Sequence, residues 1–208
     1  CSFEQEADLV QHLNTDDQGL EELFTGELNK VHCEECGTAF VCSAPIVYND
    51  EERDMYIFFN PELESYTVDQ IEVFTKAMMD QTFSGVEPIE RPECRVTSDR
   101  NSFIEKIAIL QSDLDDKLVE YMKWQVFQKD KDYNRDEHSI YYDFSHSTEE
   151  MLELTVFSKS KGRALDNLQI AVTTYNQLED MMNAGGDVLG LDFMFPGYYV
   201  QLDRVPNA

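Results

Sequence analysis

Cys33-Glu34-Glu35-Cys36-Gly37 constrains this chain more than any other stretch. Two cysteines separated by two residues and followed by glycine make half of a tetrahedral zinc site, because a tight turn there aims both thiolates at one point. Gly37 has no Cβ, so a positive φ is open to it, and its backbone N–H is free to approach the sulfurs. Zinc takes four ligands in such a site. Cys1 is the third candidate, and the fourth is expected just before Cys1 or, failing that, from His12, His32 or water. The expected ligands of a structural Zn²⁺ are therefore Cys1, Cys33 and Cys36.

The remaining cysteines do not change this. Cys42 and Cys94 make the total five, and each reads as a buried thiol, since free cysteine behaves as a small hydrophobe. A Cys33–Cys36 disulfide would close a very small loop, and the strand–CxxC–helix context of redox proteins is missing.

Charge is the second constraint. The 208 residues carry 42 Asp plus Glu against 16 Lys plus Arg, a net −26. Phosphate backbones are bound by neutralising them with Lys and Arg. The nearest thing to a basic cluster, Lys129, Lys131 and Arg135, is interleaved with Asp130, Asp132 and Asp136. Nucleic acid and anionic lipid are thus excluded as expected partners. The excess acid serves solubility or adaptation to a salty milieu; the sharper readings are docking onto a basic partner or mimicry of nucleic acid. No run of 18 apolar residues exists to span a membrane. With no leader segment either, the expected location is the cytoplasm.

Along the chain, Ser2 to Asn14 reads as an extended arm, and Thr15 to Asp17 offer N-caps for a short helix through Leu20, Leu23 and Phe24 that Gly26 ends. Leu28 to His32 is a strand into the cysteine turn, Thr38 to Val47 its return strand, Asn49 to Glu52 a turn, and Met55 to Phe59 another strand. This layout is that of a zinc ribbon with an extra hairpin. The middle third reads as helical. Val68, Ile71, Phe74 and Met78 mark one amphipathic face, Ser102 to Glu105 reads as a capping box, and Ser112 to Asp115 as a second. Lys129 to Glu137 is a charged linker. Beyond it, Ile140, Tyr142 and Phe144 alternate, as do Leu152, Leu154 and Val156, the mark of half-buried strands. Leu168 to Val172 is a further strand, Tyr175 to Met182 a helix stopped by Gly185-Gly186, and Tyr198 to Val205 a final strand.

These residues resemble a known family. Gly26-Glu27-Leu28-Asn29, the Cys33-x-x-Cys36-Gly37 turn and Ala44-Pro45-Ile46-Val47-Tyr48-Asn49-Asp50 are similar to the CpXC domain of bacteria and archaea, and Arg95 to Ile107 with Asp113 to Lys117 resembles its helical part. The resemblance covers roughly residues 1 to 128. It implies four cysteines in two knuckles and hence a zinc ribbon. Cys1 would be the second cysteine of the first knuckle, and Cys33 and Cys36 the second knuckle. Glu34 stands where the family often has proline, which stiffens the turn but is not a ligand. The resemblance implies a fold and a metal but no reaction.

Other constellations are weaker. His138 and His146 with Asp143 between them offer two imidazoles and a carboxylate, a metal-binding set at a spacing that matches no motif. Asp113, Asp115 and Asp116 sit at a helix start, where acidic groups complement the dipole. G-x-S-x-G, P-loop and Rossmann patterns are absent. Phe193 to Tyr199 is an aromatic run expected to be mostly core.

The sequence therefore predicts an α+β protein: a zinc-ribbon-like β module at 1–60 and helices at 61–128, together one CpXC-like domain, then a β-rich section at 129–208. The leading expectation is a non-enzymatic protein with structural Zn²⁺ that binds a protein partner through acidic and aromatic surface, a basic partner being one candidate. The alternatives are an enzyme using carboxylates of the helical or C-terminal part, and a surface lipoprotein anchored at Cys1.

Overall fold

The computed structural model describes residues 1–187 and 189–206. Among them are six α-helices and nine strands in three sheets, the α+β architecture expected. The chain forms two compact units, Cys1–Ile104 and Glu105–Ala208.

The first unit is built on a mixed four-stranded sheet in the order β1 (His12–Asn14), β4 (Ile46–Asp50), β5 (Met55–Phe59), β6 (Glu93–Thr97). The outer pairs are parallel and the central β4–β5 pair is antiparallel. Parallel neighbours need a crossover, and α2 (Val68–Thr82) supplies it between β5 and β6. Thr67 and Gln70 close a capping box at its start. The buried stripe of α2 runs through Ile71, Thr75 and Met79, with Phe74 half exposed. Thr75 can lie inside because its hydroxyl donates to the Ile71 carbonyl at 2.8 Å. Asp99, one residue before α3 (Arg100–Gln111), accepts from the Ser102 N–H at 2.9 Å. Phe103 of α3 is fully buried and stacks on Phe59, ring centroids 5.7 Å apart.

A separate two-stranded ribbon, β2 (Lys30–His32) with β3 (Ala39–Val41), carries the cysteine turn. It follows α1 (Gln18–Thr25), whose buried Leu20 and Leu23 and left-handed Gly26 cap match the sequence expectation. Asp17 stands at the N-cap position as expected, but its side chain makes no capping bond; its carboxylate accepts from the Asn14 N–H at 2.6 Å.

Several local expectations are corrected here. The return strand expected over Thr38–Val47 is two strands in different sheets. The chain leaves the ribbon after Val41 and enters the large sheet at Ile46, and Pro45 between them has no N–H to continue a ladder. The extra hairpin, β4 with β5, is therefore the centre of the large sheet. Its turn falls at residues 51–54, because Asn49 and Asp50 remain in β4. Residues 93–97, expected in the helical third, form β6, buried from Cys94 to Thr97. Ser102–Glu105 lies inside α3 and caps nothing, because Asp99 has taken that role.

The second unit sets an antiparallel sheet, β7 (His138–Tyr142), β8 (Met151–Ser158) and β9 (Arg163–Ala171), with α4 (Asp116–Lys129), α5 (Val172–Asn183) and the short α6 (Leu191–Met194). The alternation expected at Ile140 and Tyr142 is present as buried side chains in register, Ile140 opposite Val156 and Tyr142 opposite Leu154, but Phe144 lies beyond β7 and is exposed. β8, expected to be half-buried, is buried on both faces, because Glu153 and Thr155 are inside along with Leu152, Leu154 and Val156. Asp115, not Ser112, caps α4 by accepting from the Leu118 N–H at 3.0 Å. The final strand expected at Tyr198–Val205 does not form. Arg135 donates to the carbonyls of Leu202 and Val205, so those acceptors are met by a guanidinium in place of a ladder, and Leu202–Arg204 is a 3₁₀ turn. The aromatic run divides, with Phe195 and Tyr199 buried and Phe193 88% exposed.

An ion network is buried in this unit. Lys123 Nζ lies 2.6 Å from Glu105 and 2.7 Å from Glu120, and Lys106 Nζ lies 3.1 Å from Asp116 and 3.5 Å from Glu120. Glu105 also accepts the Tyr142 N–H at 2.5 Å. Burial pushes the Glu105 carboxyl above its ordinary value despite Lys123. At Glu120 burial acts in the same direction, but two ammonium groups outweigh it and hold that carboxyl low.

Candidate metal centre

The cysteine turn is shaped by its backbone. Cys33 N–H donates to the Thr38 carbonyl at 2.9 Å and Gly37 N–H donates to the Cys33 carbonyl at 2.8 Å. Gly37 adopts φ +69°, and a Cβ there would meet nothing within 4 Å. The glycine thus answers a conformational need and no steric one. Its N–H, expected near the sulfurs, closes the turn through a carbonyl.

Cys1 comes from 32 residues away, and the structure brings it to this turn. Its Sγ lies 3.5 Å from that of Cys33 and 3.4 Å from that of Cys36, and all three sulfurs are within 4.8 Å of one another. These separations are far beyond a disulfide bond of about 2.05 Å, and all three cysteines are free. They suit a shared ion: Zn–S bonds of about 2.3 Å in a tetrahedron put sulfurs about 3.8 Å apart. Three soft donors converging at near that spacing form one face of such a tetrahedron, so the residues present fit zinc. Cys33 is buried, whereas Cys1 and Cys36 are exposed.

Gln5 holds the arm in place. Its side-chain amide donates to the His32 carbonyl at 3.0 Å, and its side-chain oxygen accepts the Glu34 N–H at 3.0 Å. One side chain thus bridges the backbone on both sides of Cys33, four residues after Cys1. Thr38 also acts on the site. Through its hydroxyl, 3.4 Å from Cys36 Sγ, and then its backbone, it holds the Cys36 thiol below its ordinary value. Neither residue was foreseen, since a glutamine in an arm and a threonine after a turn carry no signal of their own.

The other candidates are placed elsewhere. His12 and His32 are exposed and stand outside the sulfur group. Cys94 is buried, and burial pushes its thiol up to about 12, while Cys42 is half-buried. Among the described residues, His138, Asp143 and His146 form no metal-sized group. His146 Nδ1 is 2.9 Å from Asp143, and His138 Nδ1 accepts the Asn134 N–H at 3.1 Å. Asp115 caps a helix and Asp116 pairs with Lys106. A cavity of about 240 Å³ on the large sheet is lined mainly by apolar side chains, among them Ile46, Phe58, Leu63, Phe74 and Met78.

A family model described as CpXC protein matches residues 1–123. That is more than half of the chain, and the chain belongs to the CpXC family. No curated protein and no solved structure matches it. Among the described residues no helix is long and apolar enough to cross a membrane.

Proposed function

We propose that this chain is a zinc-stabilised protein-interaction module whose metal is structural and whose partner is a basic protein. The observation that carries the reading is the convergence of Cys1, Cys33 and Cys36. A fourth donor would complete the tetrahedron, and the two-knuckle pattern implied by the family gives that place to a further thiolate beside Cys1. A closed four-coordinate site leaves no position for water, so the metal would fix the ribbon and supply no reaction. The three thiols and the ion suit a reducing compartment such as the cytoplasm. An acylated Cys1 would lose its thiolate, so the placement of its sulfur favours a ligand over a lipid anchor.

Charge supports the choice of partner. Residues 1–104 hold 23 acidic and 6 basic side chains, a net −17 out of −26. Each of the six bases is already committed within the unit: Lys30 to Glu27, Arg53 to Asp50, Lys76 and Arg91 to Asp80, Arg95 to Glu93, and Arg100 to the Leu28 carbonyl. Little cationic surface is left for phosphates. The family match through residue 123 supports taking 1–128 as the family's module and 129–208 as a section added to it.

Metal analysis of the purified protein tests this. One zinc per chain is expected, and cobalt substituted for it should give the intense sulfur-to-metal absorption of a thiolate site. Metal-free protein with an ordered ribbon, or a Cys33→Ser variant with full zinc content, would overturn the reading.

A further inference from the structure

Two of the three converging cysteines belong to one turn and the third does not. Cys33 and Cys36 sit in a loop closed by its own backbone bonds, so neither leaves the other while that loop persists. Cys1 stands on an arm, residues 1–11, that forms no helix or strand. All of the arm's first eight side chains except Gln5 are exposed, so apolar burial does not hold it there. A thiolate on a flexible tether is presented at an effective concentration of only about millimolar. What fastens the arm therefore decides how firmly Cys1 could serve an ion.

Two carboxamides fasten it. The first is Gln5, which donates to the His32 carbonyl and accepts from the Glu34 N–H, both at 3.0 Å. Cys33 is tied to Thr38 and Asn29 to Cys42 by backbone bonds across the ribbon. By the antiparallel alternation, the His32 carbonyl points away from β3. Gln5 thus takes a group that an added strand would use. The second is Asn29, which works in the reverse sense, from ribbon to arm. Its side chain accepts the Val10 N–H at 2.8 Å and donates to the Val10 carbonyl at 2.9 Å. Asn29 adopts φ +60° and is buried. A carboxamide offers a donor and an acceptor together, and each of these uses both. The bonds of Gln5 are exposed and those of Asn29 half-buried. The arm is therefore weakest near its Cys1 end and strongest at its root, Val10.

We propose that Gln5 and Asn29 are positioning residues for the metal. They latch the arm onto the ribbon, and zinc leaves by detachment of the arm, with Cys1 released ahead of Cys33 and Cys36. This rests on the reading of the three cysteines as ligands of a structural zinc. Release of Cys1 breaks one coordinate bond and two exposed hydrogen bonds, which water replaces at small net cost. Release of Cys33 or Cys36 requires the closed turn itself to distort.

The test uses the full zinc-loaded chain, with zinc content measured first. It reads zinc transfer to a chromogenic chelator, and the initial rate of iodoacetamide alkylation at each cysteine, mapped by mass spectrometry. In the parent protein Cys1 should be alkylated ahead of Cys33 and Cys36. Gln5→Met keeps the side-chain length and removes both bonds. It should speed zinc release and Cys1 alkylation by about tenfold to a hundredfold, the range for groups that orient metal ligands, with the initial rates at Cys33 and Cys36 unchanged. Gln5→Glu loses the donor to His32 and should act in the same direction, although an added negative charge alone would hold a cation tighter. Asn29→Gly leaves the positive φ accessible, removes both bonds to Val10 and should give a smaller increase. Equal acceleration at all three cysteines would mean that Gln5 only stabilises the ribbon, and would overturn the latch. Unchanged zinc release in Gln5→Met, slower release in Gln5→Glu, or Cys33 alkylated before Cys1 would overturn it too, with the zinc reading intact. A parent protein that holds no zinc would sink both.

Discussion

In the first unit the basic side chains pair mostly at or near the surface, and the cysteine ribbon is exposed on both faces. In the second, Lys106 and Lys123 are almost wholly buried among Glu105, Asp116 and Glu120. The contrast is between two ways of making distant chain segments specific for one another. A metal would do it for the ribbon from outside a core, gathering Cys1 to a turn 32 residues away. The ion network does it inside a core, where every partner must be present because an unpaired buried charge is costly. The first device would depend on an ion and on redox state. The second depends on geometry alone.

The largest effect that would sharpen this comparison is loss of the metal. Structural zinc contributes on the order of 10 kcal/mol in small zinc-dependent folds. Chelation or Cys33→Ser should therefore abolish amide protection across residues 30–41 while β8 in the second unit keeps its own; hydrogen exchange followed by NMR measures both. Equal loss in the two units would break the distinction.

Next comes Lys123→Met. It leaves Glu105 and Glu120 facing each other without their shared ammonium, and the expected cost is about 3–5 kcal/mol in urea unfolding of the second unit. Adding Glu105→Gln and Glu120→Gln should recover much of it, since the penalty lies in the orphaned charges.

Alkaline pH separates the units by chemistry. All five cysteines lie in the first unit, and burial raises the Cys94 thiol from 9.0 to about 12. Both states are protonated below pH 9. Above it the unfolded chain ionises first, so stability falls as pH rises, until the folded thiol ionises near 12. About 2 kcal/mol should be lost by pH 10.5, and Cys94→Val should remove that slope. In the second unit Tyr175 is also raised by burial, from 10.0 to about 12, so its loss should begin a full pH unit later. Unfolding curves between pH 8 and 11 distinguish the two.

The smallest expected change is at a helix end. Asp115→Ala removes the acceptor for the Leu118 N–H and should cost about 1 kcal/mol, detectable as a small shift of the second unit's urea midpoint. A cost several times larger would mean that Asp115 also serves the buried network beside it.

How much of this was legible depended on the range of the interaction. The helix stop at Gly26, the positive φ open to Gly37 and the alternation at Ile140 and Tyr142 follow from neighbours a few residues apart, and the structure bears them out. Residues 93–97 were not legible, because a strand buried from Cys94 to Thr97 shows no polar alternation to reveal it. Glu105 was read as half of a capping box because its spacing from Ser102 is right. Nothing local announces that it turns instead to Lys123 and the Tyr142 N–H.

By itself, then, the sequence determined the cysteine turn, the family, the α+β class and the concentration of acid in the first half, since each depends on residue types and short spacings. Only the tertiary structure decided that Cys1 reaches the turn under the hold of Gln5, that Pro45 parts two strands into separate sheets, and that two lysines are buried among three carboxylates. Those outcomes depend on groups far apart in the chain, 14 residues for Lys106 and Glu120 and 37 for Tyr142 and Glu105. Which distant partner a polar group finds is settled by packing and desolvation across the whole unit, not by its neighbours in sequence.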